Sequence, residues 1–457
     1  MRTWPHKNTS RDIAARQAAV RATPGWSEAE DVVLRLAEHM PGGQAALAGA
    51  QECLTGLAVL PVAAVPLLVN VGRYELDAAG EPVVQSRETV STLVPLAHTE
   101  GGLSASVLRG ANATRAAGGV HTHVLADGMT RASYFEFTDT AEAVTFSRWV
   151  RAHAQDMAAW LRDPANPLAG AETPGGMRLL SAHAVLRGVR THVLGRACHV
   201  LYRFTTGDAC GPNMMTRNAQ ALNTDYVGHR FPAETGCAIG RRVLEANMGG
   251  DKKPSYEYFH EGHGKTVIAE AALDHRTLRR FLNCSAEDLA ALEQIGLHGS
   301  HASGMQSAAF SPASAIAAIF AATGQDLGMV GTSSMAHSTA EPTARGGVHI
   351  SIRLSGLEVG TVGGGAGLPY PRAWLKLMGC AGPGAVYRFA QIIAAATLCL
   401  EVSAAASMAS DGSANFYQAH LERGGLRSPR WSDDRASAGD EPGDEGASGG
   451  DVASAMR

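Results

Sequence analysis

The sequence predicts a mixed α/β and α+β protein: a large domain of strands and alanine-rich helices, a smaller ferredoxin-like unit inserted into it, and a helical N-terminal part. Three observations carry this. The chain has 457 residues of which 45% are hydrophobic, enough to bury sizeable cores in more than one structural unit. Between Tyr134 and Lys252 the residue patterns run strand, helix, strand, strand, helix, strand. On either side of that block, alternating strand-like runs are mixed with long apolar segments rich in alanine.

Taken in order, residues 1–50 form the N-terminal part, with helical spacing in "EAEDVVLRLAEHM" and Gly42–Gly43 as its stop. The run "LAVLPVAAVPLLVNV" from Leu57 is too short to span a bilayer and holds Pro61 and Pro66, so it is predicted as buried strand and turn. Residues 51–131 and 255–426 make up the large, discontinuous domain. The inserted unit, 132–243, opens with the strand "SYFEF" and a long helix over "TAEAVTFSRWVRAHAQDMAAWLR". Strands over "RLLSAHAVLRG" and "RTHVLGRACHVLYRFTT" follow, then a helix over "GPNMMTRNAQALNTDYV". A short loop, 244–254, leads back to strands in "KTVIAEAAL" and "GGVHISIRLSGLEVGTV" and to helices in "SPASAIAAIFAATG" and "VYRFAQIIAAATLCLEVSAAASM". Residues 427–457, rich in Gly, Ser, Asp and Glu, are predicted to be disordered.

Composition narrows the function. With 39 basic against 43 acidic residues the net charge is −4, and no dense basic stripe marks a nucleic-acid partner. The polar N-terminus has no signal-peptide core or membrane anchor. Seven cysteines, an odd number without CxxC spacing, read as reduced thiols of a cytoplasmic protein. "HEGH" (His260, His263) and "HGSH" (His298, His301) have metal-pair spacing but no third ligand in the sequence, so no metal site is expected.

Four segments ask for more than packing. In "NMGGDKKP", Gly249 and Gly250 allow turns closed to other residues and Pro254 restricts Lys253, so Lys252 and Lys253 sit on a constrained loop. "TGDACGPNM" passes from strand to helix, where backbone N–H groups can meet a phosphate; a plain turn would look the same. "GTVGGGAG" lacks the Lys-Ser/Thr of a Walker loop and is either a close approach to a ligand or a tight turn. Glu100 in "HTEGG" and Asp326 in "GQD" could be functional acids or simple caps.

Together and in this order, "PLAHTEGGLSAS", "VLADGMTR", "FTTGDACGPNM", "NMGGDKKP…GKTVIAEA", "ATGQD" and "GTVGGGAGLP" resemble the successive signature motifs of HMG-CoA reductase, from about Gln51 to Arg423. The resemblance implies a large catalytic domain with an inserted NAD(P)-binding ferredoxin-like domain. It implies reduction of HMG-CoA to mevalonate through a hemithioacetal and an aldehyde, with NADPH, or NADH, as hydride source. By position it makes Lys252 the donor to the carbonyl oxygen, Glu100 the proton donor to the aldehyde, and Asp326 the acid that tunes both. Asp208, Asn213, Gly360, Thr361, Gly363 and Gly364 would bind the cofactor; Arg131, Glu245, Asn247, Asp251 and Lys253 would surround the acyl group. His420 in "ANFYQAHLERGG" would protonate the departing thiolate, although ungapped counting puts Tyr417 there. A homodimer or larger even oligomer with an interfacial site is implied as well.

The chain departs from that family around the acyl group. Glu245 replaces a serine, residues 281–344 contain no Lys or Arg where a substrate-binding lysine is expected, Ser314 stands for an asparagine, and "PVGVAGPL" is reduced to "PVAAVPLL". A carboxylate next to a substrate carboxylate is unfavourable unless paired with a cation. Three readings follow: an HMG-CoA reductase that tolerates the changes, a reductase of a different CoA- or carrier-bound acyl thioester, and an inactive homologue acting as a binding partner.

Overall fold

The computed structural model describes residues 5, 7–24, 26–28, 30–35, 47, 52–77, 80–409 and 416–417. The tail at 427–457 and His420 lie outside them. The first helix, α1 (Ser10–Arg21), starts where Thr9 accepts a hydrogen bond from the Asp12 amide. Of the helix expected after residue 28, the described residues show a 3-10 turn, Glu30–Leu34; most of its remaining span, 36–46 and 48–50, lies outside them. α1 lies in the helical N-terminal part expected over residues 1–50, and its core-facing side is narrow. Arg16 is fully buried by donating to the carbonyls of Pro5, Lys7 and Leu54 and does part of an apolar residue's work.

β1 (Val62–Leu76) and β2 (Pro82–Ala97) form a long antiparallel pair. α2 (Leu103–Ala116) leads to β3 (Val120–Glu136), which crosses the whole molecule. Its first half pairs with β1 and with β7 (Gly264–Leu273) in the large sheet; its second half, from Met129, belongs to a second sheet. The boundary read at 131/132 therefore falls inside one continuous strand. β8 (Ala336–Pro342) and β9 (Val348–Leu357) complete the large sheet in the order β2-β1-β3-β7-β9-β8.

The second sheet contains β3, β4 (Val185–Leu194), β5 (Ala197–Thr205) and β6 (Arg242–Val243), in the order β6-β3-β5-β4 with every neighbouring pair antiparallel. With the helices between β3 and β4 and between β5 and β6, this is the ferredoxin-like arrangement. Two details differ from the sequence reading. The single helix over 140–162 is two, α3 (Thr140–Ala152) and α4 (Ala154–Arg162), broken at His153, whose ring nitrogen bonds back to the Trp149 carbonyl. The two strands expected over 178–188 and 190–206 are one hairpin, because Gly195 takes a left-handed φ of 60° and turns the second run back on itself. α5 (Pro212–Ala221) continues through a π-helical turn, Leu222–Val227, into α6 (Gly228–Thr235).

Each sheet has its own apolar core. The large one is organised by the C-terminal helix Val386–Ala409, which by length and apolarity could cross a membrane but is mostly buried among β1, β3, β7 and α2. A Cβ on Gly110 of α2 would lie 1.8 Å from the Cys399 carbonyl oxygen, so the two backbones meet with no room between them. None of the seven cysteines forms a disulfide among the described residues.

Candidate active site

The lysine loop is pinned to the middle of β3. The Ala246 amide donates to the Ala132 carbonyl (2.8 Å), the Thr130 hydroxyl donates to the Gly249 carbonyl (2.9 Å), and the Tyr258 hydroxyl donates to the Gly250 carbonyl (2.5 Å). Between these anchors two side-chain-bearing residues are left-handed, Asn247 at φ 67° and Lys252 at φ 58°. Such a backbone costs about 1–2 kcal/mol per residue. That is the physical sense of the constrained loop: the surrounding bonds hold Lys252 in a conformation it would not choose, and aim it.

It is aimed at Asp326. Lys252 Nζ lies 2.7 Å from Asp326 Oδ2, while Asp326 Oδ1 accepts the Gly328 amide at 2.9 Å. The hydrogen bond that Lys252 donates to Asp326 pushes the lysine up, keeping it a cation. Burial alone would raise Asp326, but the lysine and the Gly328 amide carry it below the usual carboxylate range. The pair stands in a cleft of about 970 Å³, together with Arg131 and Asp251. The facing wall is Cys210, Gly211, Pro212 and Asn213 at the start of α5, and Gly360, Gly363, Gly364 and Gly365.

The glycine wall is clamped to the "GQD" turn. Gln325 donates to the Gly360 carbonyl (3.0 Å) and accepts the Gly360 amide (2.9 Å), and a Cβ on Gly365 would lie 2.3 Å from the Gly324 carbonyl oxygen. Gly363 and Gly364, at φ 75° and 52°, face open space. This wall fits a dinucleotide: backbone without side chains, next to the N–H groups that begin α5. Asp208 and Thr361 support it from behind and do not line the cleft. The Asp208 carboxylate accepts the Gly384 and Val386 amides, its carbonyl accepts the Thr361 and Val362 amides, and the Thr361 hydroxyl donates to the Gly382 carbonyl.

Glu245 does not stand free in the acyl region. Its Oε2 lies 2.8 Å from Arg131 Nη1 and its Oε1 accepts the Asn247 amide; Arg131 also reaches Asp251 Oδ2 at 3.3 Å. The only arginine that lines the cleft among the described residues is thus held by two carboxylates. Lys253 is exposed and donates to the Asp251 carbonyl. Glu100 is exposed, lines no part of the cleft and has no ion-pair partner among the described residues. Tyr417 is 64% exposed. The structure therefore brings together Arg131, Asp251, Lys252, Asp326, Asn213 and the glycines, and leaves Glu100, Asn247 and Lys253 outside the cleft.

Three residues at or beside the site were missed, Gln325, Cys210 and Glu358, and His263 was named only in a histidine pair for which no third ligand was found. Gln325 and Glu358 sat beside the motifs "GQD" and "GTVGGG" and were passed over for the more reactive neighbour. Burial pushes the Glu358 carboxyl up to about 8 and the His263 imidazole down to about 4. The other histidines of the two spaced pairs, His260, His298 and His301, are exposed.

The hydroxymethylglutaryl-coenzyme A reductase profile matches residues 12–424. The chain belongs to the hydroxymethylglutaryl-coenzyme A reductase family. Among curated members of that family, the 3-hydroxy-3-methylglutaryl-coenzyme A reductase of Pyrococcus horikoshii is 34% identical over 365 residues, 78% of this chain and 80% of the relative. That of Aeropyrum pernix is 35% identical over 340 residues, 73% of this chain and 75% of the relative. The class II reductase of Streptococcus pneumoniae, solved bound to NADPH in open conformations, shares the reductase fold with a TM-score of 0.57 at 17% identity, over 88% of this chain and 98% of that one.

Proposed function

We propose that the chain reduces HMG-CoA to mevalonate with NADPH, and that Lys252 is the group that stabilises the reacting oxygen. The observation that carries this is the Lys252–Asp326 pair, its lysine on a left-handed loop, in one cleft with the clamped glycine wall. The curated relatives named above carry the reductase name, and the Streptococcus pneumoniae structure was solved with NADPH. Bound in this cleft, NADPH would supply hydride to the thioester carbonyl and then to the aldehyde.

Both hydride additions place negative charge on one oxygen. Lys252, kept protonated by Asp326, meets that charge with a preoriented cation, an interaction stronger in the transition state than in the ground state. Asp326 holds the ammonium in place without neutralising it, since it is itself held ionised. Glu100 as proton donor to the aldehyde, and His420 as proton donor to the thiolate, complete the assignment. A homodimer or larger even oligomer belongs to the same reading: Glu100 lies outside the cleft of its own chain, which favours a site completed on assembly. Light scattering that finds an active monomer would refute that part. A cytoplasmic location rests on the seven cysteines that stay out of disulfides.

A second reading, reduction of a different acyl thioester, has one observation in its favour: Arg131 is held by Glu245 and Asp251. NADPH oxidation followed with HMG-CoA against neutral and amine-bearing acyl-CoA thioesters separates the two. HMG-CoA should have the highest kcat/KM. Preference for a neutral or amine-bearing acyl group would overturn the first reading in favour of the second.

A further inference from the structure

We propose that Asp251, His263 and Glu358 form a binding site for a divalent cation of the borderline transition-metal class that Zn2+ represents. The three come from separate segments: the lysine loop, the turn before β7, and the residue after β9. One ligand atom of each lies within 4.8 Å of the others. Asp251 Oδ1, His263 Nε2 and Glu358 Oε2 are all buried and all lack a hydrogen-bond partner. His263 and Glu358 are each 1% exposed. Buried polar atoms are almost always paired, so three orphans that converge on one point mark a position that something occupies.

Two carboxylate oxygens and an imidazole nitrogen are a set that suits a positive occupant. The Thr130 hydroxyl donates to the Gly249 carbonyl and stands 3.2 Å from His263 Nδ1. The Thr130 amide donates to the same nitrogen at 3.5 Å, which leaves the ring hydrogen on Nε2, 3.7 Å from Glu358 Oε2. A cation at Nε2 would move that hydrogen to Nδ1, where the Thr130 hydroxyl oxygen can accept it.

The opposite atom of each residue is held in turn. Arg131 reaches Asp251 Oδ2 at 3.3 Å, Thr130 fixes His263 Nδ1, and the Thr332 hydroxyl donates to Glu358 Oε1. Ligands oriented by outer partners, with their free atoms turned inward, are the arrangement of a built metal site. One imidazole nitrogen and two carboxylate oxygens suit a borderline cation better than Mg2+ or Ca2+, which prefer all-oxygen sets. A cation about 2.1 Å from each atom would draw the three side chains together from the 4.8 Å within which their ligand atoms lie here. Bound there, it would tie the base of the lysine loop to the strand end that leads into the glycine wall. The "HEGH" spacing thus pointed to the right histidine and the wrong pair: His263 has partners, and His260 is not one of them.

The test is metal content. Wild-type protein stripped with chelator, incubated with Zn2+ alone and desalted should retain about one Zn2+ per chain. His263→Gln and Glu358→Gln should each lower that at least tenfold, and His298→Gln, an exposed control, should not. Wild-type protein that retains no more Zn2+ than these variants would overturn the proposal and leave a shared proton as the occupant. Should the variants fail to fold, Co2+ added to stripped wild-type protein decides: visible d–d bands that Zn2+ displaces support the site, and their absence rejects it.

Discussion

Replacing Lys252 by glycine separates the chemical from the structural role of the loop. Glycine relieves a left-handed residue, a gain of about 1–2 kcal/mol. Against this stand the extra backbone entropy of glycine in the unfolded chain, about 0.5–1 kcal/mol, and the lost pair with Asp326. Lys252 and Asp326 are 48% and 44% exposed at the side chain, and pairs in such settings contribute about 0.2–1 kcal/mol. The terms offset, so the free energy of unfolding in urea should stay within about 1 kcal/mol of wild type. Activity should behave differently. Removing a preoriented donor to a developing oxyanion costs about 10²–10³ in kcat. NADPH oxidation at saturating HMG-CoA should fall by at least that factor in a protein that is still folded. A variant within tenfold of wild-type kcat would refute the lysine assignment, and one destabilised by much more than about 2 kcal/mol would show the residue to be structural.

Three further outcomes follow from the same geometry. Glu245→Ser should free Arg131 for the acyl carboxylate and lower KM for HMG-CoA about tenfold with kcat little changed, as a charge-assisted bond made equally in ground and transition state does; steady-state kinetics that show no change in KM would mean Arg131 does not meet that carboxylate. Gly110→Ala forces a methyl against the Cys399 carbonyl and should destabilise by about 1–3 kcal/mol or more, read as a lower Tm by calorimetry. Lys265, fully buried 3.3 Å from Asp127 and donating to the Gly207 carbonyl, should cost about 3–5 kcal/mol when changed to Met; adding Asp127→Asn should restore part of it in a double-mutant cycle.

Much of this was legible in the sequence, for reasons that differ by residue. The signature motifs carried the family, and the glycines carried the cleft wall, because only glycine tolerates what Gly360 and Gly365 meet there. The ferredoxin-like order survived two local errors because its strand and helix periodicity is strong, whereas the hairpin at Gly195 and the break at His153 depend on single turn residues. Other features were out of reach. Nothing local distinguishes Asp208, which supports the long C-terminal helix, from a residue facing the cofactor. The Glu245–Arg131 pair joins β3 to a loop more than a hundred residues away, and a residue's charge partner across that distance has no sequence signature. The grouping of His263 with Glu358 had no signature for the same reason: burial turned them into a cluster, and burial comes from the fold.

The central claim is that one cleft, acting through Lys252, takes the thioester through both reductions. The direct measurement is stoichiometry: NADPH oxidised and CoA thiol released, followed together in one reaction with limiting HMG-CoA. Two hydrides for each thiol, with mevalonate as the final product, is the predicted result. One hydride for each thiol with free aldehyde accumulating, or no turnover of HMG-CoA by wild-type protein, would contradict the account.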